Sequence, residues 1–169
     1  MRRRRMSWLC ATSIAATLAA SQGCTPPNGT GGDGGRIGNV GGTAFTAQLT
    51  GDQETPPVTT SGSATGVFVL NADQTELTFE VTAIGLSAAP TAAHFHNAPT
   101  GVAGSIVFDA SDIINGDAQT TTIIGSTTLS EWTIADAAAE LLSGNIYFNI
   151  HTPDHPAGEI RGQLIPDSE

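Results

Sequence analysis

Ile146-Tyr147-Phe148-Asn149-Ile150-His151, a turn from Thr152 to Gly158, then Glu159-Ile160-Arg161-Gly162-Gln163-Leu164: this stretch decides the fold. Ile146, Phe148 and Ile150 alternate with Tyr147, Asn149 and His151. Such period-two alternation marks a pleated strand with two unlike faces. The turn contains Pro153, Pro156 and Gly158, residues that reverse a chain. It returns a second strand beside His151, in which Ile160 and Leu164 stand opposite Glu159, Arg161 and Gln163. The expectation is a hairpin with one apolar and one polar face.

The same period runs toward the N-terminus. Phe45, Ala47 and Leu49 alternate with Thr46, Gln48 and Thr50. Val67 and Val69 alternate with Phe68 and Leu70, which predicts a strand covered on both faces. Asn71-Ala72-Asp73-Gln74 is turn chemistry before Leu77, Phe79 and Val81, so these two runs read as a hairpin. Ala93 and Phe95 alternate with His94 and His96, and residues 105–108 and 120–124 supply two more strands. One segment departs from period two: residues 133–142 have helix propensity, with Thr133 as the cap, Asp136 in the first turn and Gly144 as the stop. About eight short strands and one short connecting helix predict an all-β fold, an antiparallel Greek-key sandwich or small barrel of the immunoglobulin-like or superoxide-dismutase-like kind.

The chain has 169 residues, room for one domain. Sixteen acidic residues face six arginines, with no lysine, and four of those arginines are Arg2 to Arg5. Beyond them only Arg36 and Arg161 carry permanent positive charge. So acidic a body lacks the basic surface that nucleic acid or anionic lipid demands.

The arginine cluster, the apolar residues 8–20 and Ser21-Gln22-Gly23-Cys24 follow the layout of an export signal, expected over residues 1–23. The apolar part is short of the roughly 20 residues of a membrane span. Gly23-Cys24 resembles the lipobox of bacterial lipoproteins, which makes Cys24 a candidate for lipidation. Ordinary signal cleavage is the alternative. Cys10 lies inside the leader, so cleavage leaves Cys24 without a disulfide partner. Residues 24–43, rich in glycine and proline, read as a flexible tether. Any membrane contact would then come through the lipid anchor alone, placing the protein outside the cell, envelope-bound or secreted.

The four histidines fall into two clusters, His94-Phe95-His96 and His151 with His155. Residues two apart on a strand share a face with roots about 7 Å apart, close enough to converge on one ion. His94, His96 and His151, completed by His155 or Glu159, form a candidate metal site. Imidazole donors suit copper or zinc. Histidines that merely hydrogen-bond neighbouring loops are the competing reading. No Gly-x-Ser-x-Gly elbow or His-Glu-x-x-His pair occurs, so no catalytic residue is assigned and an enzyme is not the expectation.

Three segments carry a resemblance. Residues 45–57, ending Glu54-Thr55-Pro56-Pro57, resemble the opening motif of the CHRD domain first described in chordin. Ala93-His94-Phe95-His96 with Gly101 and Gly104 is similar to its central motif. Asn149-Ile150-His151-Thr152 and His155 to Leu164, with Glu159 and Arg161, are similar to its closing motif. The resemblance spans nearly all of residues 44–165 and leaves 166–169 as a tail. It implies a secreted or surface-exposed sandwich or barrel similar to copper/zinc superoxide dismutase and no settled activity; with the leader, Cys24 and the tether, the expectation is a non-enzymatic binding or structural role toward an unknown protein or envelope ligand. Four histidines are too few for that enzyme's two-metal site. The alternative is therefore a domain with one reduced copper or zinc site, with redox activity a further option.

Overall fold

The computed structural model describes residues 41–167, so the leader, Cys24 and nearly all of the tether lie outside the described residues, as do the last two residues of the tail. The strands are β1 (Thr43–Thr50), β2 (Ser63–Leu70), β3 (Glu76–Ile84), β4 (Ala92–Asn97), β5 (Ser105–Asp109), β6 (Ile114–Gly116), β7 (Thr120–Thr128), β8 (Ile146–His151), β9 (Ile160–Gln163) and β10 (Ile165–Pro166). The fold is all-β and antiparallel. The strand order is β5-β4-β8-β9-β1-β2-β3-β7-β6, with β10 also pairing β1. The β8–β9 and β2–β3 hairpins form as their alternation predicts. Asn71 Oδ1 closes the second turn by accepting from the backbone N–H groups of Thr75 and Glu76.

The sheet folds over itself at β1 and β9, which share the single pair Thr50–Arg161. Phe68 of β2 and Phe79 of β3 thereby meet Phe95 of β4 and Phe148 of β8. Ring centroids lie 5.8 Å apart for Phe68–Phe95, 5.1 Å for Phe79–Phe95 and 4.7 Å for Phe95–Phe148. Edge-to-face packing at these distances adds to the burial of large apolar area. Trp132 closes one end, its indole N–H donating to Thr127 Oγ1.

Two local expectations are corrected. The β2 strand is covered on one face only: Phe68 and Leu70 are buried, while Val67 and Val69 are exposed. Ile84 of β3 is also exposed. The helix α1 spans only Ala137–Leu142, and its cap is Asp136, whose carboxylate accepts from the Ala139 N–H. Thr133 instead donates its hydroxyl to the Ile106 carbonyl of β5. Gly144 does end the helix, in a left-handed conformation with φ of 71°. No helix among the described residues is long and apolar enough to cross a membrane.

Candidate functional site

Antiparallel pairing fixes which polar residues become neighbours, because directly opposed residues share a face. His94 of β4 opposes Asn149 of β8, which opposes Arg161 of β9. In the next row His96 opposes Tyr147, which opposes Gln163. His151 follows Asn149 on the same face. A register shift between Phe95 and His96 in the β4–β5 pairing bends this edge where the two histidines stand.

This polar face is not solvated. Asn149 is 3% exposed, Arg161 2% and His96 8%. The segment after β1 and the β4–β5 loop fold across it. Arg161 donates from its guanidinium to Thr55 Oγ1 and to the Pro99 carbonyl, and Gln163 Nε2 donates to the Ala98 and Gly144 carbonyls. Glu54 is buried beside Arg161.

One donor nitrogen from each of His94, His96 and His151 lies within 4.8 Å of the other two. Their tautomers follow from their outer partners. His96 Nδ1 stands 3.0 Å from the Gly104 carbonyl, and His151 Nδ1 stands 3.1 Å from the Pro156 carbonyl. A carbonyl only accepts, so both Nδ1 atoms carry the hydrogen. In the neutral rings both Nε2 atoms then present lone pairs. His94 Nδ1 is 2.9 Å from His151 Nε2 and donates to it. The other nitrogen of His94 faces Asp109 Oδ1 at 3.7 Å. Asp109 is itself held by the N–H and hydroxyl of Ser111, hydrogen bonds that set its carboxyl below the ordinary value.

Burial lowers the proton affinity of all three imidazoles. For His94, Asp109 acts against that lowering; for His96, the Gly104 carbonyl does; for His151, the His94 charge deepens it. His96 and His151, their outer nitrogens held by backbone carbonyls, have the orientation that metal-ligating imidazoles need, and His94 converges on them with Asp109 behind it. The nitrogen donors fit copper or zinc better than calcium or magnesium.

Behind the histidines lies a second layer. Asn149 Oδ1 is 3.1 Å from His96 Nε2 and 3.1 Å from His151 Nε2. Its Nδ2 faces Glu54: Glu54 Oε1 and Asn149 Nδ2 lie 2.5 and 3.0 Å from the place a Cβ on Gly158 would occupy. Burial pushes the Glu54 carboxyl up, while the Arg161 charge and the Asn149 amide pull it back. The Arg161 guanidinium sits 3.4 Å from the Tyr147 ring centroid, and Tyr147 stacks on His96 at 4.7 Å with the rings 2° from parallel. The Tyr147 hydroxyl accepts from the Gly104 N–H, whose carbonyl holds His96.

The two candidate completing ligands do not join the group. Glu159 is fully buried elsewhere, its Oε1 accepting from Thr60 Oγ1 and Ser87 N–H, and its Oε2 from the Ser87 and Thr152 hydroxyls. Burial alone would raise this carboxyl, but those donors outweigh it and hold it below the ordinary value. His155 closes the β8–β9 turn through its backbone and is absent from the converging set among the described residues. Of the residues in the opening motif, Glu54 enters the second layer. Thr55–Pro56 is a cis peptide, and Pro57 lines a shallow cleft with Glu54, Thr55 and Arg161. Asn149 and Gly104 stand in the closing and central motifs, but the sequence assigns neither of them, nor Tyr147, to the site, although Asn149 shares the polar face with His151.

The residues of the cluster thus come from the central and closing motifs, and its support comes from the opening one. A family model described as CHRD domain matches residues 45–164. The chain belongs to the CHRD domain family. The match runs from β1 to the end of β9 and so contains the whole cluster and its covering segments. Membership supports a binding or structural domain. No curated protein and no solved structure matches the chain.

Proposed function

We propose that this CHRD domain is a metal-binding module that takes copper or zinc through His94, His96 and His151. The observation that carries the reading is the convergence of three imidazole nitrogens within 4.8 Å, two of them with lone pairs turned inward by carbonyls behind them. A bound ion would supply the positive charge that this buried cluster of acceptors lacks. The chain's own part is to orient the donors and keep them neutral. Metal content of the purified protein, and calorimetry with copper and zinc, test the reading. Binding of one ion per chain that is lost in a His94→Ala/His96→Ala double variant is expected, whereas unchanged binding in that variant would remove the site.

The leader, Cys24 and the tether favour a second, compatible reading in which the domain is exported and held at the envelope by a lipid on Cys24. Labelled lipid should be incorporated by the full chain and not by Cys24→Ala. Incorporation that persists in that variant defeats the anchor.

A further inference from the structure

We propose that Asn149 Oδ1 is the fourth protein donor of this site, and that Glu54, backed by Arg161, is the positioning residue that turns the Asn149 oxygen toward it. The inference rests on the metal-binding reading and adds to it a ligand outside the histidine clusters.

The argument begins with lone pairs. His96 and His151 each give their Nδ1 hydrogen to a backbone carbonyl, at 3.0 and 3.1 Å. Their Nε2 atoms therefore accept. Both stand 3.1 Å from Asn149 Oδ1, which also only accepts. The one hydrogen nearby, on His94 Nδ1, is taken by His151 Nε2, so the lone pairs of His96 Nε2 and Asn149 Oδ1 face each other with no hydrogen between them, and His151 Nε2 has none to give to Asn149. Such an arrangement is repulsive unless a positive centre lies among the three atoms.

Turning the amide over would give both imidazoles an N–H donor. The opposite side of the amide prevents it. Glu54 faces Asn149 Nδ2 across the α-carbon of Gly158, in a space that any side chain at 158 would fill. A flipped amide would set Oδ1 against the Glu54 oxygens, acceptor against acceptor. Glu54 Oε1 is buried without a hydrogen-bond partner among the described residues, and the Asn149 amide is the side-chain group beside it that favours the carboxylate together with Arg161. Arg161 stabilises the Glu54 carboxylate, and its own position is set by Tyr147 and by the Thr55 and Pro99 oxygens. The chain Arg161–Glu54–Asn149 thus ends in an oxygen aimed at the same point as the imidazoles. Three nitrogens and one amide oxygen make a four-donor set of the kind that copper and zinc accept.

The test compares wild type with Asn149→Leu, Asn149→Asp and Glu54→Gln in the intact protein. Each is assayed by competition for zinc and by electron paramagnetic resonance of the copper(II) form. Asn149→Leu, close in shape but without a donor, should lose about 10- to 100-fold in affinity and change the copper spectrum. Asn149→Asp, which keeps an oxygen there, should keep binding within about tenfold of wild type. Glu54→Gln, which can accept the flipped amide, should lose about tenfold with a copper spectrum that shifts the same way as that of Asn149→Leu. Far-ultraviolet circular dichroism of the metal-free forms separates lost binding from lost folding. If Asn149→Leu is unfolded, the Asp and Gln variants decide: an unchanged spectrum in both overturns the inference. An Asn149→Leu variant that binds within twofold of wild type with an unchanged spectrum also overturns it, and leaves the three-histidine site standing. Wild-type protein that takes up neither metal overturns both.

Discussion

Replacing Glu159 tests whether this carboxylate is a structural clamp rather than a ligand. It joins three distant segments: Thr60 before β2, Ser87 after β3 and Thr152 at the end of β8. Its four hydrogen bonds measure 2.6 Å from Thr60 Oγ1, 2.8 Å from Ser87 N, 2.6 Å from Ser87 Oγ and 2.6 Å from Thr152 Oγ1. Bonds to a charged acceptor contribute about 1.5–3 kcal/mol each, but four of them do not add, because Ser87 and Thr152 can pair with each other. The Ser87 N–H cannot turn. In Glu159→Ala the fully buried Thr152 hydroxyl loses its charged acceptor while exposed Ser87 can turn its hydroxyl to water, at a cost of about 1.5–3 kcal/mol, a large share of a domain's stability. Glu159→Gln is milder and more telling. The Ser87 N–H forces the new amide oxygen to the Oε1 side, so the NH2 group faces two hydroxyls; Thr152 then passes its hydrogen to Ser87, exposed Ser87 gives its own to water, and the lost charged acceptor costs about 1 kcal/mol. The carboxyl is held below its ordinary value of 4.5, so its stabilising effect is complete above that pH and is lost as pH falls through the lower, folded value. Urea unfolding of wild type and Glu159→Gln should therefore differ at pH 7 and converge on acidification below about 4.5. A Gln variant within about 0.5 kcal/mol of wild type at pH 7, or a gap that does not narrow in acid, would refute the clamp.

Gly158→Ala should destabilise the protein by at least about 2 kcal/mol, since φ is 128° and the new Cβ would lie 2.5 Å from Glu54 Oε1; it should also weaken zinc, and denaturation with metal competition reads both. The metal-free protein should lose stability as pH falls below about 6.5, because His94, His96 and His151 all have folded values lowered from 6.5, so the unfolded chain takes up protons first; a melting temperature flat from pH 7.5 to 5.5 would contradict this. Phe95→Ala should cost about 3–5 kcal/mol, as its ring touches Phe68, Phe79, Phe148 and Trp132, and equilibrium unfolding measures it.

The alternation of Ile146 to His151 and of Ile160 to Leu164 was enough to read the hairpin and to say which residues share a face, because pleating fixes side-chain direction locally. It could not say what lies on the polar face. That face is buried by residues 51–58 and 98–104, loops without any period, whose positions depend on contacts such as Arg161 with Thr55 and Pro99. Nor does local sequence pair His94 with Asn149, 55 residues apart, since the β4–β8 ladder is a long-range choice. The Val67–Leu70 run misled for a related reason: a continuous apolar stretch reads the same whether one or both faces are covered. Composition, however, bears on the site. Arg161 is the only lysine or arginine after Arg36. The buried polar face therefore holds one permanent cation, and that cation is spent on Glu54, Tyr147 and two loop oxygens. The histidines cannot supply another readily, because burial disfavours their protonation. A face crowded with acceptors and short of positive charge is stable when a cation from outside completes it, and the inward lone pairs of His96 and His151 are where that cation would be received.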